Sequence, residues 1–554
     1  MSMMLTLQDV ERARQFYARR YWRFDTLYAL LQASAARTPN SFALRDVNTR
    51  LTFQAAVEWA DAVAADLHAG GVRAGDRVSI WLPSRVETVL VFIACSRMGY
   101  VCNTSLHRDY TCADVVALLE RAGSAAFFAQ RDYGADAGRH DIFSMLGALP
   151  RLKKVYRVHP LRPDPSDAPD PIGFIGLSRP GSGAPPSPHN PDHIVYLAFT
   201  SGTTGEPKGV MHSDNTLLAN ARAIVEDWRF NTDTVVYSLS PLSHNIGIIG
   251  MAVAIVCGGE LALHTPLDAP RMLNRIVETG ATYVLGVPTH AIDLLSELRQ
   301  RAMSTLGCVK TFQLGGAPVP PTVVNGLMDV SVQTQNAFGM TENHSFQYTR
   351  PGDPPEVIAS TCGRPADGME IKLWRENERD EEVAGGEIGE LGVRGASLML
   401  GYFNDQTATE LSFNREGWFM TGDLARFDDS GNLQIVGRKK DLIIRGGHNI
   451  YPVRIEDFTM RHTAVAKAAA FAVPDERLGE RVCLAVILRA SKAPAPMELL
   501  RHLSDQGLSK YDMPEFFLEL ESFPLTASGK VLKRRLAEMV AQGLLKPQPV
   551  RWQG

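Results

Sequence analysis

The stretch Tyr196-Leu-Ala-Phe-Thr-Ser-Gly-Thr-Thr-Gly-Glu-Pro-Lys-Gly-Val-Met-His212 decides how the rest of the chain is read. Its first four residues are an apolar run that reads as a strand, and they feed directly into hydroxyls, glycines and a lysine. Gly202, Gly205 and Gly209 let backbone N–H groups turn inward. Thr200, Ser201, Thr203 and Thr204 add hydroxyl donors, and Lys208 adds a positive charge. The result is a concave donor surface suited to a phosphate chain. A Walker A loop ends in Gly-Lys-Ser/Thr, whereas Lys208 follows Pro207 and precedes Gly209, so this is not a P-loop NTPase. A plain polar strand-to-helix turn is the ordinary fate of such clusters, but the coincidence of amide, hydroxyl and ammonium donors favours phosphate.

Outward from this stretch, 554 residues of which 45% are hydrophobic allow two or more domains. A net charge of −4 gives no reason to expect nucleic acid or an anionic membrane as partner. Seven cysteines, scattered and without a CxxC pair, read as reduced and mostly buried thiols of a cytoplasmic protein. The first residues lack the apolar core of a signal peptide. The most apolar run, Ile246 to Cys257, is too short for an integral membrane segment and reads as a buried helix.

Asp25 or Thr26 can cap a helix carrying Leu27, Leu30, Leu31 and Ala35 on one face. Ser41–Arg45 and Arg50–Phe53 read as paired strands, followed by a helix through Trp59 to Leu67. Arg77–Leu82 is a strand stopped by Pro83, and Val86–Met98 an apolar helix. This alternation predicts an α/β fold of helix-covered, largely parallel β-sheets. Arg162 to Asp192, dense in Pro, Gly, Ser and Asp, reads as an exposed connection.

Further motifs follow in order. Pro241-Leu-Ser-His-Asn245 precedes the apolar helix, and Gly315-Gly-Ala-Pro318 and Gln335-Asn-Ala-Phe-Gly-Met-Thr-Glu-Asn343 come after it. Then come Gly386–Arg394, Gly417-Trp-Phe-Met-Thr-Gly-Asp423, Val436–Pro452 and Pro524-Leu-Thr-Ala-Ser-Gly-Lys530. Each could be an ordinary turn, cap or charged surface run. Their joint order and separations resemble the adenylate-forming superfamily, in its acyl-CoA synthetase branch, over nearly the whole chain. Around Gly446–Tyr451 the chain is similar to cyclohexanecarboxylate and medium-chain acyl-CoA ligases.

The resemblance implies an N-terminal AMP-binding domain over 1–438 and a small mobile C-terminal α+β domain over 439–554, with a hinge at Lys440. It implies ATP, Mg2+ and CoA as cofactor and co-substrates. Glu342 would hold the metal, and Thr341 and Thr200 would donate to phosphate. Lys530 would bridge the attacking carboxylate and the α-phosphate. Adenine would lie near Gly316, Ala317, Asn336, Ala337 and Phe338, the last usually a tyrosine in the family. Asp423 would accept from the ribose hydroxyls with Arg438 beside it. Arg445, Gly446 and Gly447 would face the pantetheine arm of CoA. At Arg454 the family usually carries glutamate.

The chemistry is activation of a carboxylate, which is repelled by a triphosphate at a cost on the order of 4 kcal/mol at 4 Å and an effective dielectric of 20. His244 stands where acyl-CoA synthetases often place histidine, beside the carboxylate pocket; a plain core or surface histidine is the competing reading. Pro241 to Gly250 contains no acidic residue, so no counter-charge for a substrate amine is evident. The expected substrate is a medium-size aliphatic, alicyclic or aromatic acid, and a homodimer is left open. The alternatives are an acyl-AMP ligase that loads a carrier-protein thiol and an inactive nucleotide or acyl-CoA sensor.

Overall fold

The alternation of apolar runs and amphipathic stretches is realised as two helix-covered sheets. The computed structural model describes residues 6, 9–161, 185–200, 207–264, 269–376, 378–489, 494–525 and 531–552. In it β1 (Phe42–Arg45) and β2 (Arg50–Thr52) form the expected antiparallel hairpin. β3 (Arg77–Trp81), β4 (Val101–Asn103), β5 (Ser124–Ala129), β6 (Lys154–Arg157), β7 (Ile194–Thr200) and β8 (Lys208–Ser213) follow. They make one sheet of order β6-β5-β3-β4-β7-β8, parallel except for the final β7–β8 pair. The phosphate stretch is therefore a hairpin rather than a strand-to-helix turn, with Thr200 opposite Lys208 at its mouth. Ser201 to Glu206, and most of the connection expected over Arg162 to Asp192, lie outside the described residues.

A second sheet holds β9 (Val235–Ser238), β10 (Glu260–Leu263), β11 (Tyr283–Gly286), β12 (Thr311–Gly315), β13 (Gln333–Met340), β14 (His344–Tyr348) and β15 (Arg364–Pro365). Its order is β15-β14-β13-β12-β11-β9-β10-β1-β2, with β13 through β10 to β1 all parallel.

Helices α1 (Val10–Ala18), α2 (Leu27–Arg37), α3 (Phe53–Ala69), α4 (Val86–Met98), α5 (Cys112–Ala122), α6 (Asp214–Trp228) and α7 (Asn245–Cys257) pack around these strands. Thr26 caps α2, accepting from the Ala29 N–H at 3.2 Å. The helix expected from Trp59 starts earlier, at Phe53, because the Thr52 hydroxyl accepts from the Ala55 N–H at 3.2 Å and so caps it. α4 is buried on every side, which explains its unbroken apolar run. The apolar tract read as a buried helix is α7.

The chain folds as two compact units. The first comprises Met1–Ile358, Gly363–Glu370 and Arg394–Leu411; the second comprises Ala359–Cys362, Ile371–Val393 and Ser412–Gly554. The second unit carries a sheet of β16 (Met369–Arg375), β17 (Glu378–Glu382), β18 (Gly389–Gly395), β19 (Phe419–Phe427) and β20 (Leu433–Arg438), in the order β17-β16-β18-β19-β20. After one turn at Lys439–Asp441 come β21 (Ile443–Arg445), β22 (His448–Ile450), β23 (Val465–Asp475), β24 (Gly479–Leu488), β25 (Phe516–Glu519) and β26 (Gln548–Pro549). The 438/439 boundary expected from the sequence falls inside this second unit, between its two sheets. Alternate residues of β24 serve two cores: Val482, Leu484 and Val486 face one apolar cluster, Cys483 and Ala485 the other.

One buried carboxylate ties the edge of the first unit together. Glu260 on β10 accepts from Arg45 at 2.6 and 2.8 Å and from Arg50 at 2.9 and 2.9 Å, two forked guanidinium pairs from the β1–β2 hairpin. Burial opposes its ionisation, but the bonds from Arg50 and Arg45 outweigh that and hold its carboxyl below the ordinary glutamate range. Glu260→Ala leaves two guanidiniums facing each other and should destabilise the unit by about 3 kcal/mol. Thermal denaturation followed by circular dichroism checks this; an unchanged midpoint would contradict it.

Candidate active site

In an open parallel sheet, ligands settle at the carboxyl ends of the strands, where the strand order reverses. The chain leaves β9 for β10 on one side and later passes to β11 on the other, so the reversal lies between β9 and β11. There the Leu239 N–H donates to the Leu285 carbonyl at 2.8 Å, and the chain turns through Pro241–Ser243 into α7. Gly247 lies so close to Pro241 that a Cβ would stand 2.3 Å from its carbonyl oxygen. His244 occupies the N-cap position of α7. It stacks on His107 with ring centroids 4.2 Å apart and an interplanar angle of 17°. His107 Nδ1 lies 3.1 Å from Ser243 Oγ. Burial, and then His244, pushes the His107 imidazole down to about 3, so it is neutral.

At the end of β13 the Thr341–Asn343 turn carries two more predicted residues. His212 Nε2 lies 2.7 Å from the Thr341 carbonyl, which can only accept, so that nitrogen holds the proton. Glu342 is buried, and the Tyr402 hydroxyl donates to its Oε1 at 2.9 Å. Its backbone carbonyl accepts from the Met399 N–H at 2.7 Å. The Lys208 ammonium lies 4.7 Å from the centre of the Tyr402 ring. Behind the turn, His344 packs on His212 at 3.9 Å and its Nδ1 lies 2.8 Å from Asn245 Oδ1. Lys208, Thr341 and Glu342 are thereby brought to one neighbourhood, with Thr200 paired to Lys208.

Gly316 and Ala317 form an exposed ledge after β12, and the backbone of Gly316 is left-handed with φ 82°. The register pairs Gly315 with Ala337, so Ala337 and the half-buried Phe338 ring flank that ledge. Asn336 is turned inward: its side-chain amide donates to the Ile358 carbonyl at 2.9 Å. In the second unit Asp423 is almost fully buried and accepts from Arg438 Nε at 2.9 Å, across paired strands. Gly446 and Gly447, with φ 58° and 84°, make the two-residue turn of the β21–β22 hairpin. Beside it Arg445 pairs with Glu515 at 3.1 Å and His448 with Asp512 at 2.8 Å. Lys440 lies in the turn between the two sheets, where Lys439 bonds Glu390 at 3.1 Å. Arg454, the departure from the family pattern, donates to the Gly507 carbonyl at 3.2 Å and so serves the local packing. Lys530, like Ser201, Gly202, Thr203 and Thr204, lies outside the described residues.

Residues 31–403 match the family model of the AMP-binding enzyme, and residues 454–530 match that of the AMP-binding enzyme C-terminal domain. The chain belongs to the AMP-binding enzyme family. It is 29% identical over 547 residues to the medium-chain fatty-acid–CoA ligase of Escherichia coli (strain K12), covering 98% of this chain and 95% of that one. It is 30% identical to the salicyl-AMP ligase / salicyl-S-ArCP synthetase of Mycobacterium tuberculosis, covering 96% and 93%. The solved structure of ATP-bound MatB from Rhodopseudomonas palustris superposes with a TM-score of 0.82 at 25% identity, covering 93% and 98%. This AMP-binding enzyme is thus an ATP-dependent ligase of the acyl-CoA synthetase branch. Among the described residues no helix is long and apolar enough to cross a membrane.

The donor set can be tested against Mg2+. Among the described residues no three His, Cys, Asp or Glu side chains gather to hold a metal. The residues present offer Glu342, a buried carboxylate bonded by Tyr402 and in the same neighbourhood as Lys208. Mg2+ bound through one or two carboxylates plus substrate phosphates needs no more than that. Sequence reasoning missed Tyr402, His107, His212 and His344. His212 closes the phosphate stretch itself; the others carry no local pattern that announces them.

The buried histidines give this AMP-binding enzyme a pH signature. Burial pushes His107 down to about 3, His212, His264 and His290 down to about 4, and His344 down as well. In the unfolded chain each titrates near 6.5. Between about pH 6.5 and 4 the unfolded chain therefore takes up protons that the fold excludes, and stability falls with falling pH. Asp214 acts oppositely: burial raises it to about 7, a contribution present at low pH and lost as pH rises through that value. Five histidines outweigh it. The thermal midpoint of the first unit should drop between pH 7 and pH 5; a flat or rising midpoint would contradict the neutral assignment.

Proposed function

We propose that the protein is an AMP-forming acyl-CoA synthetase for a medium-size acid whose only charge is its carboxylate. A carboxylate oxygen attacks the α-phosphorus of ATP, the bond to the β-phosphate oxygen breaks, and pyrophosphate leaves with acyl-AMP remaining. The CoA thiolate then attacks the acyl carbon and AMP departs. Mg2+ held at Glu342 would supply charge neutralisation at the phosphates. Lys208 and Thr200 would bind the phosphate chain, Gly316, Ala317 and Phe338 the adenine, and Asp423 with Arg438 the ribose. Lys530 would bridge the attacking oxygen and the α-phosphate, with the C-terminal domain turning about Lys440 between the two half-reactions.

The single observation that supports the substrate reading is the stacked imidazole pair at the β9/β11 crevice, of which His107 is neutral. His107 is neutral and stacked on His244, and α7 follows with Ile246 and ten residues that are buried. A Cβ at Gly315 would stand 3.1 Å from the Ala337 carbonyl oxygen and 3.7 Å from Ile246, so the end of β12 lies close to the start of α7. Among the described residues Pro241 to Gly250 carries no acidic side chain to pair with a substrate ammonium, which would lose its hydration at a cost.

A second reading, transfer to a carrier-protein thiol, is favoured by the similarity to the salicyl-S-ArCP synthetase. A panel of aliphatic, alicyclic and aromatic acids, assayed for pyrophosphate release and for AMP release with free CoA, separates the two. Acid-dependent pyrophosphate release with CoA-dependent AMP release supports the synthetase. Pyrophosphate release without loss of CoA thiol favours the carrier protein, and no release with any acid overturns both. Lys530→Ala should cut adenylation by about a thousandfold, the scale of one lost transition-state charge contact, yet spare thioesterification of supplied acyl-AMP. Equal loss of both half-reactions would contradict its role.

A further inference from the structure

Tyr402 touches both charged groups of the phosphate end of the site. Its hydroxyl donates to Glu342 Oε1 at 2.9 Å, and its ring receives the Lys208 ammonium at 4.7 Å from the centroid. The ring is buried, and the backbone around it is locked. Tyr402 bridges Val210 on β8, its N–H donates to Thr409 Oγ1 at 2.9 Å, and the next N–H, of Phe403, donates to the Gly209 carbonyl at 2.6 Å. The backbone that carries the ring is therefore pinned to the strand edge.

We propose that Tyr402 is a positioning residue that keeps the Lys208 cation and the Glu342 carboxylate apart while aiming each at ATP. Brought together directly, the two would form an ion pair. The ammonium would then be withdrawn from phosphate and the carboxylate from metal. A phenol interposed between them satisfies both without neutralising either: the electron-rich ring face attracts the cation, and the hydroxyl binds one carboxylate oxygen. The two contacts reinforce each other, because a cation over the ring strengthens the O–H as a donor. Holding Oε1 also fixes the rotation of the Glu342 carboxylate and so the direction in which Oε2 points. The inference rests on the reading of Glu342 as the metal-binding carboxylate, and it holds for either thiol acceptor.

The test separates the hydroxyl from the ring. In Tyr402→Phe the ring remains, so metal-free ATP binding by titration calorimetry should stay within about twofold of the parent. Mn2+ binding to the enzyme–ATP complex, read by electron paramagnetic resonance, should weaken by about tenfold. In Tyr402→Leu the cation closes on Glu342, and metal-free ATP binding should also fall, by about fivefold. In a Glu342→Gln background, adding Tyr402→Phe should leave Mn2+ affinity unchanged, because the group it acts through is gone. Equal loss of ATP and Mn2+ affinity in Tyr402→Phe would overturn the proposal, as would persistence of its effect beside Glu342→Gln. If Glu342→Gln alone leaves Mn2+ affinity intact, the reading of Glu342 falls first, and this inference with it.

Discussion

The free edge of β8 is the constraint on which the site depends. An edge strand exposes a row of backbone donors and acceptors that something must cover. Here Met399–Phe403 does so: the Leu400 N–H donates to the Met211 carbonyl at 2.9 Å, and the Met211 N–H to the Gly401 carbonyl at 3.1 Å. The same segment reaches the second sheet through the Met399 N–H on the Glu342 carbonyl. One short stretch thus joins the strand that ends the phosphate hairpin to the turn that carries Thr341 and Glu342. A pair of sheets that could slide past each other is fixed beside Lys208, Thr341 and Glu342.

Around that junction the protein supplies polarity without net charge. His107, His212 and His344 are imidazoles held neutral by burial, each set by a neighbour's oxygen within 3.1 Å. Neutral rings leave the field at the site to the few charges that are present, Lys208 and Glu342 among them. At the β9/β11 crevice the stacked rings of His107 and His244 stand ahead of the apolar helix α7.

Much of this was legible in the chain itself, because local signals dominate. The apolar runs give β1, β2, β3 and β7 of the first unit but not β6, β8, β9 or β10, and Thr26 begins its helix as capping chemistry requires, whereas the cap at Thr52 is hidden inside a stretch that reads as strand. Thr341, Glu342, Asp423 and Arg438 are singled out by the resemblance to the adenylate-forming superfamily, since each alone reads equally well as a turn, a cap or a surface charge. Tertiary pairings were not legible. His107 and His244 are 137 residues apart and meet only because two sheets present their carboxyl ends to each other. Tyr402 sits in an unremarkable Gly-Tyr-Phe, and its importance comes from lying on the edge of β8. Asn336 shows the converse limit. Its place in the Gln335–Asn343 motif was plain from the chain, but the direction of its amide, inward to Ile358, is decided by a residue 22 positions away.

The central claim is that the acid is activated at the α-phosphorus, so one carboxylate oxygen must end on AMP. Turnover with a doubly 18O-labelled acid, followed by mass spectrometry of the nucleotide and the phosphates, tests this directly. AMP carrying one labelled oxygen, with unlabelled pyrophosphate, is the expected result. Label in inorganic phosphate with ADP as the product, or AMP with no label, would contradict it.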